Sequence, residues 1–229
     1  MSILVFDTET SGLLPKGTFL TKDKLHLFPH TVQFSWIVFD TKENKIVRIR
    51  DYIIKLPQNF QLSDESVKIH GITNEISQTK GVDISIAMDA FIEDFYTSNM
   101  IVAHNLEFDL KIIRADIMRL LERFNDDKLS MKYKDFMVEI KISTKLYCTM
   151  HKSIELCNIK ITNASGKEYK KFPKLSELHY KLFQTTPNNL HNSLNDVLVC
   201  LRCFYKMNFE NDILEVSGEL DNLFRELLT

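Results

Sequence analysis

The segment "LVFDTET" (residues 4–10) decides the fold of this chain, because a strand that enters the core ends there in two acids. Asp7 and Glu9 follow the apolar residues and are separated by a single threonine. In a strand, residues i and i+2 point to the same face, so these carboxylates are predicted to project side by side. Adjacent carboxylates repel unless a positive charge lies between them, and oxygen ligands select Mg²⁺ or Mn²⁺. The alternative is a solvated strand end that runs into the turn "TSGLLP".

Length and composition predict one globular domain without a strong overall electrostatic field. The chain has 229 residues, of which 44% are hydrophobic, enough to bury a sizeable core. Its 29 basic and 31 acidic residues leave a net charge of −2, so any nucleic-acid surface would have to be local. Four irregularly spaced cysteines favour a reducing compartment, and the sequence resembles neither a signal peptide nor a membrane span. We therefore expect an intracellular, cytoplasmic protein with no membrane partner.

The periodicity along the chain predicts an α/β domain. The β-rich residues 31–40 and 45–55 flank the polar "TKEN" and indicate a hairpin, and "MIVAH" (residues 100–104) indicates another buried strand. The helical period is strongest from Leu106 to Phe124, and a polar stretch then leads to the strand-like "KLYCTM" (residues 145–150). Strands interleaved with helices in this way predict a mixed central sheet. Further helices are predicted over residues 63–71, 83–96 and 174–183 and from about residue 192.

A third acid, Asp109, lies at the edge of the apolar stripe of the helix that begins at Leu106. Charged groups are rarely placed against a core without a partner, which favours a role for Asp109 in an ion site. The alternative is that Asp109 only complements the positive end of the helix dipole. Asp116 lies at a similar azimuth two turns later, so azimuth alone does not single out Asp109.

A fourth acid, Asp196, belongs to the segment "HNSLNDVLVC" (residues 191–200). The segment predicts a helix with Asn192 or Ser193 as its N-cap, which places Asp196 in the first two turns. His191 is then assigned to the preceding loop, from which it could reach an ion site. A structural role beside the cap is the alternative for this histidine.

Together these stretches resemble the DnaQ-like 3′–5′ exonucleases of the DEDDh type, a group that includes the proofreading epsilon subunit of bacterial DNA polymerase III. "VFDTETSG" matches the first motif, "IVAHNLEFDLKII" the second, and "LHNSLNDV" the third with its His-x₄-Asp spacing. "KIHGIT" and "FPKLSELHYKLF" resemble two further family segments, whereas Cys148 replaces the acid of a strand that usually reads Asp-Thr. The likeness indicates an exonuclease domain over residues 1–207 and a helical tail over 208–229, packed on the domain or on a partner.

The resemblance implies a ribonuclease-H-like mixed sheet of about five strands flanked by helices. It also implies a metal-dependent enzyme with two Mg²⁺ or Mn²⁺ ions and a histidine general base. The expected reaction removes nucleoside 5′-monophosphates from single-stranded or frayed DNA 3′ ends, in proofreading for a DNA polymerase or in repair. By that resemblance the metal carboxylates are Asp7, Glu9, Asp109 and Asp196, and the general base is His191.

The resemblance implies substrate contacts as well. The expected positions are Thr10, Gly12, His70 and Asn105. Phe108 is expected either to stack on a base or to be a core aromatic. The segment "NASGKEYKKFPK" (residues 163–174) interleaves lysines with Tyr169 and Phe172, a composition that suits the backbone and bases of a single strand or a simple solvated loop.

Three alternative functions stay open at this point. An exoribonuclease of the oligoribonuclease or RNase T kind would keep the chemistry, and only recognition of the 2′-OH separates it from a DNA enzyme. A catalytically silent nucleic-acid-binding module is the alternative from another class, although such modules typically lose one of the five signature residues. A zinc-stabilised interaction domain rests only on Cys200 and Cys203, which in a helical pattern are expected to be core thiols.

Overall fold

Strand β1 (Ser2–Thr10) occupies the middle of a five-stranded sheet. In the computed structural model, which describes residues 1–124 and 127–228, the order of the strands is β3-β2-β1-β4-β5. Strand β1 is antiparallel to β2 and parallel to β4, so the predicted mixed sheet with flanking helices is confirmed. The other strands are β2 (Thr31–Asp40), β3 (Lys45–Ile53), β4 (Met100–Ala103), β5 (Leu146–Cys148), and a separate hairpin of β6 (Lys160–Thr162) and β7 (Glu168–Lys170).

The helices begin and end at local signals that the sequence carries. The hydroxyl of Ser63 accepts from the backbone N–H of Ser66 at the start of α1, and Gly71 ends that helix with a left-handed φ of 74°. Of the two N-caps expected for α9, Asn192 is the one used. The helices are α1 (Asp64–His70), α2 (Asn74–Lys80), α3 (Ile84–Thr97), α4 (Leu106–Arg123), α5 (Asp127–Ile142), α6 (Thr149–Lys152), α7 (Ile154–Cys157), α8 (Leu175–Phe183), α9 (Ser193–Phe209), α10 (Ile213–Val216) and α11 (Gly218–Leu228), with a 3₁₀ turn at Lys22–Leu27.

Two apolar cores lie on opposite faces of the sheet. Leu4 and Phe6 of β1 point into the core that α3, α4 and α5 cover, and Ile3 and Val5 point into the core covered by α8 to α11. This alternation is the period of two that a strand buried on both faces requires. Helices α10 and α11 of the C-terminal segment pack against the second core, into which Leu220, Phe224 and Leu228 are buried.

Helix α5 replaces most of the polar stretch expected after Leu106–Phe124. Residues 125 and 126, where that stretch begins, lie outside the described residues. Tyr133, Phe136 and Ile140 recur at helical spacing and are buried in the first core. The sequence pattern did not indicate this helix, because lysines and acids on the exposed face outnumber the few apolar residues that pack on the core.

The unequal lengths of β1 and β4 open one edge of the sheet. Strand β4 pairs only with residues 3–5 of β1 and then gives way to α4. Residues 7–10 therefore pair with β2 on one side and face the start of α4 on the other. No helix among the described residues is both long and apolar enough to cross a bilayer.

We predict that Phe136→Ala lowers the free energy of unfolding by about 3–5 kcal/mol, since it removes a large, fully buried ring from the first core. Val138→Ala on the same helix is the matched control, because that side chain is 58% exposed and its loss should change stability by less than about 0.5 kcal/mol. Urea unfolding of both variants measures the difference. Equal small losses would mean that α5 does not pack on the sheet.

Candidate active site

The alternation of β1 sets where its two acids point. Asp7 and Glu9 continue the face of Ile3 and Val5, which is the face covered by α9. Asp196 lies in the first turn of α9, so the helix delivers a third carboxylate to the same end of the strand. Segments far apart in sequence thus bring their acids to the open edge of the sheet.

Glu9, His191 and Asp196 form the tightest part of this cluster. One ligand atom of each residue lies within 4.8 Å of the ligand atoms of the other two. His191 belongs to the loop before α9, and its backbone N–H donates to Asp196 Oδ2 at 3.0 Å. Its left-handed φ of 71° turns the chain into the helix and is unusual for a residue with a Cβ atom. The imidazole therefore lies close enough to the carboxylates to act either as a ligand or as a base.

Asp109 approaches the cluster from α4 and is held by β1. Its Oδ1 accepts hydrogen bonds from the Thr8 amide at 3.1 Å and from the Thr8 hydroxyl at 2.7 Å. Asp116, at the similar azimuth, has different partners: it accepts from the Thr31 hydroxyl at 2.5 Å and from Arg119 at 2.7 Å. Asp116 is thus neutralised by a structural ion pair, and Asp109 remains with the other acids.

Burial is the main cause of the electrostatic state of these acids. It raises the pKa of Asp7 well above its ordinary range, with added repulsion from Asp109, Asp196 and Glu9. Burial likewise raises the pKa of Glu9 to about 8, and Asp196 and Asp109 repel it further. It also raises the pKa values of Asp109 and Asp196 to about 7 each, although hydrogen bonds from Thr8 and His191 work against the shift. Without a cation, the cluster resists full ionisation near neutral pH.

The donor set fits a hard divalent cation. Carboxylate oxygens dominate it, and such oxygens favour Mg²⁺, Mn²⁺ or Ca²⁺ over soft metals. A cation among Asp7, Glu9, Asp109 and Asp196 would stabilise the ionised carboxylates that burial, and for the first three also mutual repulsion, disfavours. Cys200 and Cys203 lie buried in the second core, and the ligand cluster found among the described residues contains neither thiol.

A cleft of about 540 Å³ opens beside the cluster and shares Glu9 and His191 with it. Of the residues predicted to contact substrate, it is lined by Thr10, Gly12, His70 and Phe108. Asn105 lies at the start of α4 with a left-handed φ of 64° and is not among the described residues that line the cleft. Sequence reasoning missed two rim residues, Leu13 and Ile69, which are 87% and 51% exposed.

A polar ladder on β2 and β3 supports the cluster and was also missed. Gln33 and Ser35 lie across from Glu9 and Asp7 in the antiparallel register. The side-chain oxygen of Gln33 accepts from the buried Ser193 amide at 3.2 Å, and the Ser35 hydroxyl contacts that of Ser193. Gln33 and Ser35 both donate to Asp51 on β3, at 2.8 and 2.7 Å. These bonds hold the first residue of α9, and thereby position Asp196. The detectable signal was a pair of polar residues inside the apolar run "TVQFSWIVF".

Solved structures of exonuclease I share this fold. Exonuclease I from Methylocaldum szegediense has a TM-score of 0.58 and 16% identity, with 94% of this chain and 42% of that chain covered. E. coli exonuclease I in complex with a dT13 oligonucleotide gives a TM-score of 0.58 and 17% identity, with 91% and 42% covered. A product-bound structure of exonuclease I gives 0.57 and 16%, with 98% and 46% covered. The chain thus spans less than half the length of these proteins and has their ribonuclease-H-like fold.

The sequence itself identifies the family. The model of the RNase T exonuclease family matches residues 4–204, which include the strand, helix and loop segments of the acidic cluster. The chain belongs to this exonuclease family, and the predicted likeness to DnaQ-like exonucleases is confirmed. No curated protein sequence matches the chain.

We predict that the metal-free protein loses stability as the pH rises from about 4 to about 8. The carboxyl pKa values are higher in the folded state than the ordinary value near 4, so the contribution of these groups is full below pH 4 and is lost as they ionise. Glu9→Gln should therefore raise the melting temperature at pH 8 in EDTA by about 2–4 °C, which corresponds to about 1 kcal/mol. Melts from pH 5 to 9, with EDTA or Mg²⁺, measure both effects. A wild-type melting temperature that is independent of pH and of Mg²⁺ would contradict the prediction.

We predict that Gln33→Leu weakens Mn²⁺ binding by about 10–100-fold, as changes to the groups behind metal ligands typically do. The substitution removes the acceptor of the buried Ser193 amide and should also cost about 1–3 kcal/mol of stability. Gln78→Leu is the matched control, since this glutamine donates to the Leu56 carbonyl at 2.9 Å, outside the cluster. Calorimetric Mn²⁺ titrations compare the two. Unchanged affinity in Gln33→Leu would show that β2 does not position Asp196.

Proposed function

We propose that this protein is a metal-dependent 3′–5′ exonuclease of the DEDDh type, which removes nucleoside 5′-monophosphates from DNA 3′ ends. The observation that carries the proposal is the convergence of Glu9, His191 and Asp196 within 4.8 Å, next to the half-buried Asp7 and the buried Asp109. Membership of the exonuclease family supports the reaction class. The cleft beside the cluster supports a substrate that enters from one side.

The four carboxylates would hold two divalent cations, Mg²⁺ or Mn²⁺. When bound, such ions supply positive charge that stabilises the scissile phosphate and the departing oxygen. Asp7 and Glu9 contribute from the strand, Asp109 from α4 and Asp196 from α9. The hydrogen bonds from Thr8 and from the His191 amide fix two of these carboxylates before any ligand arrives, so little reorganisation is needed at the site.

His191 is the proposed general base. Its position in the exposed loop before α9 gives the imidazole access to a water that attacks the phosphorus. The imidazole accepts the proton of this water, the P–O3′ bond breaks, and the released 3′ oxygen is protonated from solvent. The products are a nucleoside 5′-monophosphate and a chain one nucleotide shorter. A histidine suits this role because an imidazole can take up and release a proton within a catalytic cycle.

The cleft is the proposed site of the terminal nucleotide. Thr10, Gly12 and Phe108 line it, and a ring at position 108 can stack on a base of any sequence. His70 offers a directed donor: its Nδ1 accepts from the Ile72 amide at 3.1 Å, so its Nε2 carries the proton. This buried Nε2 has no hydrogen-bond partner among the described residues and is available to a substrate oxygen.

The assay that tests the proposal offers purified protein, with Mg²⁺ or Mn²⁺, three 5′-labelled substrates: single-stranded DNA, duplex DNA with a 3′ mismatch, and RNA. We expect a ladder that shortens stepwise from the 3′ end of DNA and that EDTA abolishes. Faster trimming of RNA would instead assign an exoribonuclease. Internal cuts, or release of the 5′ nucleotide first, would contradict the 3′–5′ assignment, and complete inactivity with bound oligonucleotide would indicate a silent binding module.

The role of His191 is tested by the split between turnover and metal affinity. His191→Ala should lower kcat by about 10²–10⁴-fold, the usual contribution of a general base, while Mn²⁺ affinity stays within a few-fold of wild type. Asp196→Asn is the comparison variant, because loss of a carboxylate should reduce both quantities. Equal loss of turnover and Mn²⁺ affinity in His191→Ala would mean that this imidazole is a ligand.

A further inference from the structure

The segment around the β6–β7 hairpin concentrates positive charge. Between residues 151 and 181 the chain has seven lysines and three glutamates, a net charge of +4 in a chain whose total is −2. The lysines are Lys152, Lys160, Lys167, Lys170, Lys171, Lys174 and Lys181. A local positive field of this kind attracts a polyanion even though the whole protein is slightly acidic.

The hairpin is ordered but contributes nothing to either core. Ile161 pairs with Tyr169 across its two short strands, and every residue from 160 to 170 is exposed. Its turn is held by Asn163, whose side-chain oxygen accepts from the backbone amides of Ser165 at 3.1 Å and Lys167 at 2.9 Å. Because the hairpin is held by its own hydrogen bonds and covers neither core, its exposed side chains can contact a ligand without any change in the rest of the fold.

Aromatic side chains lie among the lysines. Tyr169 is 48% exposed and Phe172 is 56% exposed. Phe172 is also oriented, since its ring stacks on His151 with centroids 5.1 Å apart and planes 23° apart. Exposed aromatic rings beside cations are the combination that binds unpaired bases and their phosphates together. An acidic peptide or an anionic lipid surface would use the lysines and leave these rings without a role.

The lysines are available to a ligand. Lys167 and Lys174 have no carboxylate oxygen within 4.0 Å among the described residues. Lys170 pairs with the largely exposed Glu155, and Lys171 pairs with Glu177 at 2.5 Å. An exposed carboxylate such as that of Glu155 contributes only about 0–1 kcal/mol to its pair, so a phosphate can replace it on Lys170 at small cost.

His104 connects this segment to the acidic cluster. It follows β4 directly, and its Nε2 lies 3.0 Å from the carbonyl oxygen of Pro173, between Phe172 and Lys174. Because that carbonyl can only accept, Nε2–H donates and Nδ1 accepts from the Thr149 hydroxyl at 2.9 Å. The Thr149 hydroxyl in turn lies 3.6 Å from the sulfur of Cys200, one helical turn after Asp196. These contacts connect Pro173, at the C-terminal end of the hairpin segment, to helix α9, which carries Asp196 of the acidic cluster.

We propose that the β6–β7 hairpin, with Phe172 and Lys174, is an arm that binds the single strand of nucleic acid leading to the active site. Lys167, Lys170 and Lys174 contact phosphates, and Tyr169 and Phe172 stack on bases. The arm rests on the proposed exonuclease function, which it deepens: it holds the part of the strand that is not being cut. It binds without regard to base identity, because phosphate contacts and stacking are both sequence-tolerant.

The test compares two triple variants of the full chain. One carries Lys167→Gln, Lys170→Gln and Lys174→Gln. The control carries Lys42→Gln, Lys80→Gln and Lys141→Gln, which are exposed, lie outside the segment and change the net charge equally. Fluorescence anisotropy with oligothymidylate of about 16 nucleotides, with Ca²⁺ replacing Mg²⁺ to slow hydrolysis, measures affinity from low to high salt. The turnover of thymidine 5′-monophosphate p-nitrophenyl ester, a single nucleotide, reports on the catalytic site alone.

Loss of three phosphate contacts should make the negative slope of log K against log[salt] less steep by about 2. The affinity at 0.1 M salt should fall by about 100-fold. The control triple should keep the wild-type slope, and both triples should keep wild-type turnover of the ester. Equal affinities and slopes in the two triples would overturn the arm while leaving the exonuclease proposal intact. Binding through the hairpin without hydrolysis of any substrate would leave the arm intact and overturn the exonuclease proposal.

A second variant separates stacking from charge. Tyr169→Leu with Phe172→Leu should weaken oligothymidylate binding by about 10-fold per ring and leave the salt slope unchanged. An abasic oligomer of the same length should bind the wild type and this double variant equally. If the double variant loses the same fraction of affinity for both oligomers, the rings act on the fold of the hairpin, and the stacking assignment is wrong.

Discussion

The removal of four neighbouring carboxylates from water is the constraint on which the site depends. Asp7, Glu9, Asp109 and Asp196 come from three elements, and burial raises the pKa of each. A fold that needed only stability would place aliphatic residues there, because unpaired buried acids cost free energy. A positive charge from outside the chain would allow all four acids to ionise near neutral pH, whereas without one their raised pKa values keep part of the cluster protonated. Asp116 differs in that Arg119 provides an internal positive partner that opposes the effect of burial on its pKa.

The lengths and pairing of the strands determine where these acids lie. Because β4 ends early, β1 extends beyond it and carries its acids into open space beside the start of α4. On the other side of β1, Gln33 and Ser35 hold Ser193 and thereby set the start of α9. The positions of the acids are thus set by the backbone pairing of β1, by the bonds that hold Ser193, and by the hydrogen bonds that Asp109 and Asp196 accept from Thr8 and from the His191 amide.

Much of this was predictable from the sequence because the deciding features are local. The period of two in β1 and the helical period from Leu106 onward fixed the faces of Asp7, Glu9 and Asp109, and the cap at Asn192 placed Asp196. Helix α5 was not predictable by the same reasoning, since only Tyr133, Phe136 and Ile140 of its sixteen residues are buried. Contacts between distant segments could not be predicted from periodicity either. Neither the bond from Gln33 to Ser193 nor that from His104 to Pro173 has a signature in spacing, because each depends on how whole elements pack.

The charge distribution of the molecule follows from the same chemistry. A nucleic acid that approaches the cluster brings phosphates toward carboxylates, and the two repel each other within about 10 Å, beyond which salt screens the interaction. Cations within the cluster would remove this short-range repulsion. Attraction outside the cluster has to come from elsewhere, and the lysines around the β6–β7 hairpin are placed for it, next to a segment that His104 ties to the site. A protein with a net charge of −2 can therefore bind a polyanion if its two signs of charge are kept apart, with the acids around the end of β1 and the lysines on an exposed hairpin. This separation would also explain why overall composition gives no indication of the proposed nucleic-acid substrate.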